Sequence, residues 1–95
     1  MKTTLTAEEY QDGSPIARAE MDAWLEKMGL IERWVTDIRI IRMVSFGRCI
    51  VAVWYYERDS NGRIQRTPSG KPVMQTETYP DAPIPPLNFF ELAEA

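Results

Sequence analysis

Hydrophobic and polar residues recur along this chain with two different periods, and each period marks a kind of element. From Pro15 to about Met28 the apolar residues Ala17, Met21, Trp24, Leu25 and Met28 return at spacings of three and four, which puts them on one face of a helix. Arg18, Asp22, Glu26 and Lys27 lie away from the centre of that face. Ser14 caps the free first-turn amides, and proline at the first helical position loses no hydrogen bond it would otherwise make. Gly29 supplies the left-handed stop, after which Leu30 can fold back onto the last turn. Upstream, Thr6-Ala7-Glu8-Glu9 has the spacing of a capping box and predicts a short helix over residues 7–11, ended by Asp12-Gly13.

Beyond Leu30 the period changes to two. Residues Trp34 to Phe46 read as a strand with Ile38, Ile40, Val44 and Phe46 on one side of the pleat and Asp37, Arg39, Ile41 and Met43 on the other. Gly47 turns the chain into Cys49 to Tyr56, its most hydrophobic run and the expected central strand. Asp59-Ser60-Asn61-Gly62 is a turn signal handing the chain antiparallel to Arg63–Thr67, and Val73 to Tyr79 continues the edge or adds a fourth strand. Prolines at 80, 83, 85 and 86 predict an extended segment outside any sheet interior. Asn88-Phe89-Phe90-Glu91 resembles a helix cap and predicts a short last helix carrying Phe89, Phe90 and Leu92 onto some surface. The expected fold class is therefore α+β: a three- to four-stranded antiparallel meander, one main helix packed on one face, and short N- and C-terminal helices. Residues 1–79 form the domain and 80–95 a Pro-rich strap.

Composition narrows the chemistry. Ninety-five residues allow one domain. There is no histidine and one cysteine, which removes intramolecular disulfides, the usual zinc sites and every scheme needing an imidazole base. Cys49 opens an apolar strand and reads as packing rather than as a nucleophile. The acid pairs Glu8/Glu9 and Glu20/Asp22 read as solvated helix surface, because nothing makes them converge on one pocket. Gly47, Gly62 and Gly70 are isolated turn glycines, not a phosphate loop. A non-enzymatic protein without cofactor or metal is expected. The longest uncharged apolar run, Cys49 to Tyr56, falls far short of the ~20 residues that span a bilayer. The N-terminus lacks a signal-peptide core, so the expected location is cytoplasmic.

Charge is divided into three blocks. Residues 1–32 stand at −4, residues 33–72 at +5 and residues 73–95 at −4. Seven of the central bases are arginines, the side chain best suited to carboxylates and phosphates. An acidic helix lying on a basic sheet would satisfy these charges internally. The other reading is a basic surface, with Arg39, Arg42, Arg58, Arg63 and Arg66 contacting nucleic acid or an acidic partner. Trp54-Tyr55-Tyr56 beside Arg39, Arg42 and Arg58 has the ingredients of a base-stacking platform, although core packing explains the same aromatics.

The central strand raises a further problem. Ile50, Ala52, Trp54 and Tyr56 make one face and Cys49, Val51, Val53 and Tyr55 the other, yet only one substantial helix exists to cover them. The expectation is that Val51, Val53 and Tyr55, with Phe89 and Phe90, form an interaction surface. A second copy in a homodimer ranks first as its cover, before the chain's own tail or a different protein.

The run from Thr6 to Met21, followed by Trp24-Leu25, resembles the N-terminal region of small uncharacterised accessory proteins of actinobacterial bacteriophages. The resemblance covers about a fifth of the chain and carries no site residues. It implies a viral protein made in the host cytoplasm, acting on a host factor or nucleic acid or assisting assembly. The expected function is protein binding through a hydrophobic sheet face. The alternatives are a nucleic-acid-binding module built on the central strands, and a small virion or assembly component whose tail threads a neighbouring subunit.

Overall fold

A computed structural model describes residues 2–30, 33–45 and 47–90. Four strands, β1 (Thr4–Thr6), β2 (Trp34–Ser45), β3 (Arg48–Tyr56) and β4 (Met74–Pro83), form one antiparallel sheet in the order β1-β2-β3-β4. Helices α1 (Ala7–Gln11) and α2 (Pro15–Lys27) precede β2, and a single 3-10 turn, Leu87–Phe89, follows β4. The fold is α+β.

The helices begin and end where local chemistry dictates. Thr6 accepts from the Glu9 amide at 3.2 Å while the Glu9 carboxylate accepts from the Thr6 amide at 3.1 Å, a reciprocal capping box. Ser14 Oγ accepts from the Ala17 amide at 3.1 Å, with Pro15 in the first turn. At the far end Gly29 takes φ +73°, and the Leu30 amide reaches back to the Leu25 carbonyl at 2.8 Å in a Schellman closure. That closure presses Leu30, 1% exposed, into the core.

The core lies between α2 and one face of the sheet. Ala17, Met21 and Trp24 from the helix meet Leu5, Ile38, Ile40, Cys49, Val51, Val53 and Ala82 from all four strands. The Trp24 indole N–H donates to the Pro83 carbonyl at 2.9 Å, tying the helix to the end of β4. The C-terminal segment returns to this core in cis. Pro85 is fully buried, Phe89 and Phe90 are buried, and the Phe89 ring lies 6.1 Å from that of Tyr10. It also covers Gly13 so closely that a β-carbon there would stand 2.6 Å from the ring.

Several expectations need correction. The three-residue strand β1 was not anticipated. Arg63–Thr67 is not the third strand of the meander; β4 takes that place beside β3. Residues 57–73 instead form an exposed arm in which 63–67 lies between the outgoing and returning limbs, held by the Arg58/Ile64 and Arg66/Pro72 bridges. Pro80 and Pro83 lie within β4, which tolerates them because it is an edge strand with a register shift there. Register shifts between Val35 and Asp37 and between Ile40 and Arg42 break the simple alternation expected of β2. Asn88 caps no helix, and its amide donates to Glu20 at 2.8 Å. Phe46, Glu91 and Leu92 lie outside the described residues.

Candidate functional site

The face of β3 that α2 covers is the one carrying Cys49, Val51, Val53 and Tyr55. Val51 and Val53 are fully buried, Tyr55 nearly so, and Phe89 and Phe90 join the same core. These five residues, expected as an interaction surface, are interior packing. The chain's own helix and tail cover Val51 and Val53, and the Arg33 guanidinium lies over the Tyr55 ring at 4.5 Å, so no second molecule is needed on this side.

The opposite face is the uncovered one. Register places Trp34 opposite Tyr56, Asp37 opposite Trp54, Arg39 opposite Ala52 and Arg42 opposite Ile50. On the other side of β3, Met74 pairs with Tyr56, Thr76 with Trp54 and Thr78 with Ala52. Since these positions alternate with the core residues, they all point away from α2. Trp34 is 44% exposed and Met74 42%, while Trp54 and Tyr56 are half-buried against each other's neighbours. The Arg58 guanidinium lies over the Trp34 ring, 4.6 Å from its centroid. Beside Trp54 a shallow depression of about 240 Å³ is lined by Thr4, Asp37, Arg39 and Trp54. The Thr36 hydroxyl donates to the Trp54 carbonyl at 3.3 Å, fixing the bulged stretch of β2 under that ring.

Charge follows the same division. The ion pairs among the described residues are Lys2–Glu9, Arg33–Glu77 and Arg48–Asp81. None engages Arg39, Arg42, Arg58, Arg63 or Arg66, so the expected pairing of an acidic helix with these arginines is not observed. The reason is geometric: the sheet stands between the helices and the face that carries Arg39 and Arg42. Asp37 is the one carboxylate at a register-paired position on the open face among the described residues, while Asp81, in the register shift of β4, is held by Arg48 at 2.8 Å.

Other chemistry-bearing groups are structural. Cys49 is buried, and loss of hydration pushes its thiol up from the ordinary value, the opposite of activation. Glu77 accepts from Tyr79 at 2.6 Å and Tyr55 at 2.8 Å, which together with Arg33 hold its carboxyl below the usual range. Burial first, and then the bond to Glu77, raises Tyr79 to about 12. A cleft of about 230 Å³ between the helices and β2 contains the Tyr10 hydroxyl, which donates to Asp22 at 2.5 Å. Among the described residues no cluster of acids and cysteine could hold a metal ion, and no helix is long and apolar enough to cross a membrane.

The arrangement defines an α+β protein with one sheet face closed by its own helix and tail and the other open, aromatic and basic. Protein-family models, curated proteins and solved structures contain no match to this chain.

Sequence reasoning named Trp54, Arg39, Arg42 and Arg58, which belong together, and Arg63 and Arg66, which sit on the adjoining arm. It placed Asp37 on the Arg39 side of β2 without giving it a role, and it missed Trp34 and Met74 as parts of the same surface. The available signal was the even spacing of Ala52, Trp54, Tyr56 and Arg58.

Proposed function

We propose that this is a non-enzymatic binding protein whose recognition surface is the uncovered sheet face, taking a ligand with flat apolar groups and negative charge. One observation carries the reading: Trp34, Tyr56 and Met74 form a cross-strand row on the solvent side with Trp54 in the next row, beside Arg39, Arg42 and Arg58, which form no ion pair among the described residues. Half-exposed rings of this kind mark interaction surfaces more often than passive ones. A second copy laid face to face would set one basic face, carrying Arg39, Arg42 and Arg58, against another, and such like-charge juxtaposition costs several kcal/mol. The geometry therefore favours an oppositely charged ligand over the homodimer.

The test separates binding surface from scaffold. Trp34→Ala and Trp54→Ala should each lower stability by about 1 kcal/mol or less in urea, the scale of cross-strand pairs. Trp24→Ala, in the core, should cost about 3–5 kcal/mol. Light scattering should give a monomer of 11.0 kDa. A loss at Trp54 as large as that at Trp24 would make the face structural, and a dimer dissociated by Trp34→Ala would give it to a second copy.

A further inference from the structure

Resting on that reading of the face, we infer that its ligand is a single-stranded nucleic acid, with bases stacked on Trp54 and Tyr56 and a base amino group read by Asp37. Trp54 and Tyr56 are two residues apart on β3 and so project from the same side at about 6.5–7 Å. Trp34 stands across from Tyr56 on the neighbouring strand, which widens the platform. Sheet surfaces with rings at adjacent positions stack two or three unpaired bases, because every base has a π-face while a duplex hides its own.

The charges flank the rings. Arg42 and Arg39 lie toward one end of β3, beside Ile50 and Ala52, and Arg58 follows Tyr56 at the other end. Beyond Arg58 the exposed arm adds Arg63, Arg66 and Lys71 against Asp59 alone between residues 58 and 72. A backbone running along β3 would therefore meet cations before and after the bases it lays on the rings. An acidic peptide would use the arginines equally well, but nothing in it demands rings at this spacing.

Asp37 supplies selectivity. Its carboxylate lines the depression beside Trp54 together with Thr4 and Arg39. A carboxylate only accepts hydrogen bonds, and the exocyclic amine of cytosine is a donor that thymine lacks. Arg39 beside it keeps the pocket from repelling the phosphate of the same nucleotide.

The experiment uses the full chain and fluorescein-labelled oligomers of about 12 nucleotides, within the site sizes of sheet-based single-strand binders. Anisotropy reports binding, and tryptophan emission reports stacking. Oligo(dC) should bind more tightly than oligo(dT), quench tryptophan emission, and outcompete duplex of the same length. With four phosphate contacts, affinity should fall about fifty-fold between roughly 50 and 200 mM salt. Trp54→Ala should weaken binding about five- to hundred-fold, Trp34→Ala should weaken it too, and Asp37→Asn should erase the preference for oligo(dC). Failure of every single-stranded oligomer to bind at low salt would overturn the inference, as would equal binding of duplex without quenching. If polyglutamate binds and quenches where oligomers do not, the sheet face remains a binding surface and the nucleic acid is refuted. If oligomers bind undisturbed by Trp54→Ala but are lost in Arg63→Gln/Arg66→Gln, the arm binds alone and both readings fall.

Discussion

Replacing Gly13 by alanine tests how the C-terminal segment is seated. The added β-carbon would stand 2.6 and 2.8 Å from two carbons of the Phe89 ring and 3.1 Å from the Tyr10 carbonyl oxygen. Carbon atoms rest at about 3.5–4.0 Å, so the ring must retreat by roughly 1 Å, enough to forfeit a quarter to a half of the contacts on that side. It has little room to do so, because it is 6% exposed and the Tyr10 ring flanks it. Such overpacking costs about 1–3 kcal/mol. Against this, alanine lowers the entropy of the unfolded chain, which returns about 0.4–1 kcal/mol. Gly13 does not use positive φ, so no backbone strain enters. The net expectation is a loss of about 1–2 kcal/mol, read as a lower urea midpoint with unchanged slope. In a Phe89→Ala background only the 3.1 Å approach to the Tyr10 carbonyl oxygen is left, and Gly13→Ala should be between neutral and about 0.4–1 kcal/mol stabilising. The loss of the penalty across the cycle is the signature, with a coupling of about 1–3 kcal/mol. Phe89→Ala itself should cost about 3–5 kcal/mol, within the ~5–15 kcal/mol available to a domain. If Gly13→Ala were neutral or stabilising in the parent, Phe89 would not sit on this turn, and docking of the tail in cis would be refuted.

Trp24→Phe keeps most of the ring packing but removes the donor to the Pro83 carbonyl. Leaving the Pro83 carbonyl with only the weak Cys49 thiol donor at 3.8 Å should lower stability by about 1–3 kcal/mol in denaturant, and a change under about 0.3 kcal/mol would show that helix and edge strand are not tied there. For pH, Tyr79 is raised to about 12 in the fold against about 10 in an unfolded chain. Its contribution is therefore complete below pH ~10 and lost as pH rises toward ~12, and Tyr79→Phe should remove that part of the alkaline decline in thermal stability. Glu77, held low, acts with the opposite sign, and its contribution disappears as pH falls below the usual carboxylate range.

The helices were legible in the sequence because their signals are local. Thr6 with Glu9, Ser14 with Pro15, and Gly29 with Leu30 each act within a few residues, so the caps and ends followed from spacing alone. The turn at Asp59–Gly62 was legible for the same reason: the Asp59 side chain accepts from the amides of Asn61 and Arg63. Local spacing also gave the two-sided apolar character of Cys49–Tyr56, and with it the α+β class. It could not say which side α2 would cover, since Val51 and Val53 on one face and Ile50 and Trp54 on the other are equally acceptable to a helix. That choice depends on register. Pairing of Ile38 with Val53 and Ile40 with Val51 builds one continuous apolar floor with Arg39 on the opposite side by alternation, and the register shift after Ile40 sends Arg42 to that side too. The path of the tail was equally hidden. Phe89 finds its seat over Gly13, seventy-six positions away in the chain, and only the packed core brings the two together. With one face closed in cis by Phe89 and Phe90, tertiary structure alone decided that the open surface is the aromatic and basic one.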